Sequence, residues 1–388
     1  MDAIVKGMEE IEEIIKAKNV VINTNMLEPV MIKALITAVD PHSAILTKEQ
    51  AEKLQVEQEG IFYGVGLKIK IKDKWPQIVK IMEDGPAEKS EIQVDDVIKK
   101  IDNLSTKDMT IEEVISLMRG KNNEVVELCI QSKSNTADTV LVKIIRGAVR
   151  ISATGTTEEW PNKIGYVKIN GLYEGSGDQI ITQLKTWSDA NFHGVILDIR
   201  GADGMDMESV AGIAGQFSMD GTPLFSVRDG QNNIIVNYQA KNGKRLSMPV
   251  VLLVDSKTSR AAEILAAVFQ ECKGALLIGD STSGDDCIRE AIPMKDGKML
   301  YIATRFIYMD KAESYRDKGV IPDIIVQGGD ITPPVERIDL KEDFALFSGL
   351  SEEEKQDRGL IIRVNGDVVL RRAVDILLGI QALDIQVR

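Results

Sequence analysis

The chain has 388 residues, 44% of them hydrophobic, with a formal net charge of −13, two histidines and three cysteines. That length exceeds one ordinary domain, and that hydrophobic share builds packed cores and excludes global disorder. The acidity argues against nucleic-acid and anionic-membrane partners, which need clustered Lys and Arg. His42 and His193 are too few for a His-rich metal site, and Cys129, Cys272 and Cys287 are too few and odd in number for a disulfide framework. No cofactor or metal is expected, and no apolar run reaches the length of a membrane span.

The first residues, Met1-Asp2-Ala3-Ile4-Val5-Lys6, open a charged amphipathic helix and not a signal peptide. Met8, Ile11, Ile14 and Ile15 repeat at helical spacing. A second apolar helix runs over 27–39 and stops at Asp40-Pro41-His42-Ser43, because proline disfavours helix at the residue before it. Thr47, followed by Glu49 and Gln50, carries a capping signature and starts a third helix.

Tyr63-Gly64-Val65-Gly66-Leu67-Lys68-Ile69 reads as a glycine-rich turn entering a strand. Glycines let backbone N–H groups converge on a carboxylate, and a strand edge pairs with an extended peptide. Gly64, Val65, Gly66 and Leu67 are therefore candidate peptide-binding residues, a plain tight turn being the other reading. From about 150 to 330, strands over 164–169, 194–200, 250–254 and 275–278 alternate with helices such as 179–187. That alternation implies a largely parallel sheet with its sites at the strand ends. Gly328-Gly329 and Pro333-Pro334 break the chain, and the tail from Leu340 reads as helical.

Asp40-Pro41-His42-Ser43 and Leu46-Thr47 are similar to the DPYS and LTPEE signature that precedes the PDZ domain in C-terminal processing peptidases, also called tail-specific proteases. Asp84-Gly85-Pro86-Ala87, Val94-Asp95-Asp96-Val97-Ile98, Ile101-Asp102-Asn103, Met109-Thr110-Ile111-Glu112-Glu113 and Met118-Arg119-Gly120-Lys121 follow the order of that family's PDZ motifs. Gly319-Val320-Ile321-Pro322-Asp323 and the stretch from Asp367 to Leu377 resemble its later motifs, so the resemblance spans nearly the whole chain. It implies an α/β fold: an N-terminal helical segment (1–58), a PDZ domain (59–134), an α/β peptidase-like core with a parallel or mixed sheet (135–330) and a C-terminal helical segment (331–388). Glu91 and Asp95 stand at two family glycines, which predicts rebuilt turns there.

The family uses a Ser–Lys dyad: a hydroxyl nucleophile, a neutral amine made available by burial, and backbone donors for the oxyanion. Val254-Asp255-Ser256-Lys257-Thr258-Ser259-Arg260-Ala261-Ala262-Glu263-Ile264 resembles the nucleophile segment, and matching Ala261, Glu263 and Ile264 puts Arg260 at the serine. By the same resemblance Asp285 takes the lysine position and Arg289 that of the glutamine that orients it. In Arg200-Gly201-Ala202-Asp203-Gly204-Met205, Asp203 and Met205 replace a family proline and glycine. Gly204 and Met205 thus mark a degenerate oxyanion turn.

Arginine has no nucleophilic form in a protein. At a helix N-terminus its charge faces the positive end of the dipole and calls for an anion. The resemblance places positions 260 and 285 in contact, so an Arg260–Asp285 ion pair is expected, two separate solvated charges being the alternative. Ser259 is one helix position, about 100°, from the motif's serine. Ser256 adjoins Lys257 but sequence neighbours seldom face each other, and the motif gives Ser283 no base. For Glu263, a first-turn carboxylate favourable to the dipole is as good a reading as a functional one.

These features lead to a catalytically inactive homologue that binds peptide or protein C-termini as a scaffold or regulator. An active serine-type endopeptidase with rearranged catalytic groups is the alternative, and a carrier of small apolar ligands a third. The resemblance also implies a homodimer in the periplasm or cell envelope after removal of a leader, or a cytoplasmic protein if Met1 is the native start.

Overall fold

The computed structural model describes residues 24–133, 139–241, 245–310, 314–326 and 352–383, with scattered positions before residue 19. Met8 and Ile15 of the first helical repeat, the Gly328-Gly329 and Pro333-Pro334 breaks and Leu340 lie outside the described residues. The chain divides into two units, Met1–Lys53 with Cys287–Phe306, and Leu54–Asp286 with Ile307–Arg388.

In the first unit, helix Thr24–Val39 ends where the sequence places its stop. The Asp40 carboxylate then accepts from the His42 N–H (3.1 Å) and the Ser43 hydroxyl (2.8 Å), so its own side chain turns the chain. Strand Ala44–Leu46 pairs antiparallel with 299–301, and Cys287–Pro293 pairs antiparallel with 299–306. Helix Lys48–Gln58 opens as its signature predicts: the Thr47 N–H donates to Gln50 Oε1 (2.8 Å) and the Gln50 N–H to Thr47 Oγ1 (3.2 Å).

In the second unit, strands Leu67–Lys72, Trp75–Ile81, Val97–Ile101, Val125–Gln131 and Thr139–Ile145 form an antiparallel sheet in that spatial order. Asp73 and Lys74 turn its first hairpin with positive φ at both positions. Ile78, Ile98, Ile101, Val126 and Leu128 pack under helix Ile111–Met118, which adds Val114 and Met118. This PDZ-like sheet includes Thr139–Ile145, which pairs along all of Val125–Gln131. Asp95 itself takes the left-handed conformation (φ +74°), and its carboxylate pairs with Lys133 at 2.7 Å.

The core sheet has the order Thr154–Trp160, Ile164–Ile169, Gly194–Asp198, Val250–Val254, Leu276–Gly279, Ile324–Ile325. The first pair is antiparallel and every later pair parallel. Gly194–Asp198 and Val250–Val254 are buried at every position, as central strands covered on both faces must be. Helix Val368–Ala382 sets Val369, Leu370, Ala373 and Leu377 against Trp160, Ile164, Tyr166, Ile196, Val251 and Leu253. The architecture is thus an α/β core, a PDZ-like subdomain and flanking helices.

Candidate active-site region

The parallel strands end in loops, and three of those loops meet around the helix Arg260–Glu271. Strand Val250–Val254 runs into a turn that Asp255 organises: its Oδ1 accepts from the Gly201 N–H (2.8 Å) and the Lys257 N–H (3.1 Å). The Ser259 N–H donates to the Ala202 carbonyl (3.0 Å). These bonds fix the 255–259 turn against the 199–203 turn.

Arg260 starts the helix with φ +49°. A left-handed arginine costs about 1–2 kcal/mol, so the neighbouring contacts hold it there. A sharp strand-to-helix elbow of this kind lifts a side chain clear of the sheet. The arginine is gripped: its Nε and Nη2 donate to the two carboxylate oxygens of Asp203. The family motif points to Asp285 as that anion; the carboxylate bound here is that of Asp203. Asp203–Gly204 forms a short strand parallel to Gly171–Leu172. Gly204 has φ +117°, and a Cβ there would lie 2.1 Å from the Leu172 carbonyl oxygen, so the turn admits glycine alone. Met205 follows, half-buried. Tyr173 feels the same pair: burial raises its phenol pKa, Asp203 adds to the rise and Arg260 opposes it.

Asp285 enters through its backbone. Its N–H donates to Glu263 Oε2 (2.9 Å), as the Gly284 N–H (2.6 Å) donates to Oε1 and the Ser283 hydroxyl (2.8 Å) to Oε2. The Thr282 hydroxyl completes the set, itself accepting from the Val320 N–H at 2.7 Å. Glu263 is therefore more than a dipole partner. It is fully buried and clamps the 282–285 loop to the Arg260 helix. Burial pushes its carboxyl above the ordinary value, against the four hydrogen bonds that pull it down. Ser283 is exposed, and the structure gives its hydroxyl the carboxylate partner that the motif does not. The Gly319-to-Asp323 motif supports this loop. A Cβ at Gly319 would lie 2.1 Å from the Thr282 carbonyl, and Asp323 accepts from the Leu277 N–H at 2.8 Å.

Arg289, read as the orienter's position, has a different partner. It lies in the first unit, buried, with Nε 2.7 Å from Asp40 Oδ2 and Nη2 2.9 Å from Oδ1. Burial raises the Asp40 pKa, but the Arg289 guanidinium, the Ser43 hydroxyl and the His42 N–H outweigh it and hold the carboxyl far below the usual range.

A second polar cluster escaped the sequence reading. Asp198, buried at the end of its strand, accepts from the Tyr166 hydroxyl (3.0 Å), Lys168 Nζ (3.1 Å), and Arg200 Nε (3.0 Å) and Nη2 (2.7 Å). Arg200 Nη1 reaches Asp367 (3.0 Å), which caps helix Val368–Ala382. Two charges closing the apolar run Val195-Ile196-Leu197-Asp198-Ile199-Arg200 were the available signal.

At the glycine-rich turn, the Val65 carbonyl accepts from the Ala87 N–H (2.8 Å) and that of Gly66 from the Met82 N–H (2.9 Å). Gly66 has φ +78°, and Gly64, Val65, Gly66 and Leu67 are all buried. The turn enters Leu67–Lys72, a terminal strand of its sheet.

The model of peptidase family S41 matches residues 163–326, and that of a PDZ domain matches residues 77–132. A carboxy-terminal-processing protease of Bartonella bacilliformis is 24% identical over 301 residues, which cover 76% of this chain and 68% of that protein. Over these residues the chain is similar to the S41 carboxy-terminal-processing peptidases and to a PDZ domain. A second relative, the carboxy-terminal processing protease of Bacillus subtilis, is 27% identical over 296 residues, covering 76% of this chain and 62% of that one. The crystal structure of a Bacteroides fragilis protein described as an S41 protease aligns with a TM-score of 0.52 at 15% identity, over 89% of this chain and 88% of that one. At that identity the likeness concerns the S41 fold alone.

Proposed function

We propose that this S41 chain is a catalytically inactive homologue that binds peptide or protein C-termini as a scaffold or regulator. The observation that carries the reading is Arg260, at the helix start where the family motif has serine, with its guanidinium bound by Asp203. A guanidinium cannot attack a carbonyl, and Asp285 cannot act as the amine base. The PDZ domain retains its glycine-rich turn beside a terminal strand, which supports carboxylate capture without hydrolysis. The relatives' names point to chain ends as the class of partner.

A second reading, hydrolysis through a rearranged site, draws on the exposed Ser283 hydroxyl 2.8 Å from Glu263. Incubation with a fluorophosphonate probe and an unstructured protein separates the two. No labelling and no cleavage are expected. Labelling that disappears in Ser283→Ala establishes the second reading and ends the first. Anisotropy titration with free-acid and amidated forms of one peptide tests tail binding: amidation is expected to abolish it, and equal binding of both forms removes PDZ capture.

The proposal extends to a homodimer in the periplasm or envelope. No helix among the described residues is long and apolar enough to cross a membrane. Light scattering of the purified chain and fractionation of cells making the full precursor test these two points.

A further inference from the structure

Strand Leu67–Lys72, the terminal strand that follows the glycine-rich turn, reads Leu-Lys-Ile-Lys-Ile-Lys. Successive strand residues point to opposite faces. Leu67 and Ile69 are buried with Val114 and Met118 of helix Ile111–Met118, so Lys68, Lys70 and Lys72 stand on the other face, all exposed. The neighbouring strand extends that face: Lys80 lies opposite Lys68, and Trp75 opposite Lys72. Lys99 Nζ sits 3.8 Å from the centre of the Trp75 ring. Between residues 67 and 80, Asp73 alone stands against Lys68, Lys70, Lys72, Lys74 and Lys80, on a chain whose net charge is −13.

The acids around this face are engaged elsewhere. Asp95 pairs with Lys133 at 2.7 Å, which lowers its pKa, and Lys70 and Lys72 lower it further, so this carboxylate belongs to the lysine face and already has a cation. Asp108 lies 3.4 Å from Lys74, and Glu113 accepts from the Thr110 N–H (2.8 Å) at the start of its helix. Glu88 accepts from the Asp84 N–H (2.9 Å). Asp73 stays between Lys72 and Lys74 at the hairpin tip. Lys68, Lys70, Lys72 and Lys80 form no ion pair among the described residues.

A tail added antiparallel to this edge, with its carboxylate at the glycine turn, sets its last residue beside Leu67, its second-last beside Lys68 and its fourth-last beside Lys70. Directly opposite residues share a face. The last and third-last side chains therefore turn toward the apolar side under the helix, and the second- and fourth-last toward the lysines. We propose, resting on the tail-binding reading above, that this edge selects C-terminal segments with aliphatic residues at the last and third-last positions and aspartate or glutamate at the second- and fourth-last. Opposite charges facing each other across two strands stabilise the pairing and like charges oppose it, so a tail with lysine at those positions is rejected.

The test is fluorescence anisotropy with free-acid peptides: fluorescein-GSGEVEVEV, its neutral counterpart fluorescein-GSGQVQVQV, and fluorescein-EEEGSGQVQVQV, which carries the same charges outside the paired stretch. Wild-type protein is expected to bind the first about tenfold more tightly than the other two, the sum of a few exposed charge pairs, and the gap is expected to close as salt is raised. The double variant Lys68→Glu, Lys70→Glu, shown to be folded by its circular dichroism melt, is expected to reverse the order and bind fluorescein-GSGKVKVKV over fluorescein-GSGEVEVEV. Equal binding of the glutamate and glutamine peptides, both lost on C-terminal amidation, overturns the charge selection and leaves tail capture standing. Binding that survives amidation, or no binding of any free acid, overturns tail capture and the selection with it. Equal binding of the first and third peptides, or a folded double variant that keeps the wild-type order, also overturns the selection. So does co-sedimentation with phosphatidylserine vesicles that the glutamate peptide leaves undisturbed, which would assign the lysines to a lipid surface.

Discussion

Glu263 and Ser283 are joined by a 2.8 Å hydrogen bond that ties the first turn of the Arg260 helix to the loop carrying Asp285. Three more donors converge on the same buried carboxylate. The geometry that joins the Arg260 helix to the 282–285 loop therefore rests on Glu263.

Glu263→Ala would leave two hydroxyls and two N–H groups without their acceptor. Each buried unsatisfied group costs about 1–3 kcal/mol, so a loss of at least ~3 kcal/mol is expected. Urea denaturation followed by circular dichroism measures it. Ser283→Ala removes one donor at an exposed position and should cost less than about 1 kcal/mol.

The Glu263 pKa gives a pH signature. Its folded value lies above the ordinary 4.5, so the folded state favours the neutral carboxyl. That contribution is complete below 4.5 and is lost as pH rises through the folded value. Wild type and Glu263→Gln should therefore differ in the slope of unfolding free energy against pH in the window starting at 4.5 and extending upward. Parallel slopes there would falsify the assignment.

Asp40 predicts the opposite dependence. Its folded pKa lies far below 3.8, so its contribution is complete above 3.8 and is lost as pH falls through the depressed value. Asp40→Ala would take the carboxylate from the buried Arg289 guanidinium, at a cost of about 3–5 kcal/mol. Acid titration of the intrinsic fluorescence should show the variant unfolding at a higher pH than wild type.

Arg260 carries backbone strain that its ion pair with Asp203 offsets. Asp203→Ala alone should destabilise by about 1 kcal/mol, since both partners remain partly exposed. In that background, Arg260→Gly should recover about 1 kcal/mol, because glycine adopts φ +49° freely. Chemical denaturation of the two variants checks the order of stability. If the double variant is the weaker, the left-handed arginine is not a source of strain.

Gly204→Ala should be worse than either. The left-handed φ alone costs about 1–3 kcal/mol, and the added Cβ collides with the Leu172 backbone. Thermal scans should show a larger drop in melting temperature for Gly204→Ala than for Asp203→Ala.

Much of this protein was legible along its sequence. The apolar run at 250–254 became the strand Val250–Val254, because an unbroken apolar run of that length suits a strand buried on both faces, and the run at 164–169, interrupted only by Lys168, became Ile164–Ile169. The Thr47 cap is local, its partner being three residues away. Arg260 stood out in the sequence because Ala261, Glu263 and Ile264 beside it resemble the family motif. What the sequence could not supply was partnership at a distance. Asp203 is 57 residues from Arg260, and Asp40 is 249 residues from Arg289. Periodicity tells which face a side chain takes, not which loop will lie opposite it. The family motif suggested Asp285 as the anion for Arg260, but two turns anchored by Asp255 and Ala202 brought Asp203 there first. The role of Glu263 was hidden for the same reason: its four donors come from a loop about twenty residues on, and only packing could aim them at one carboxylate.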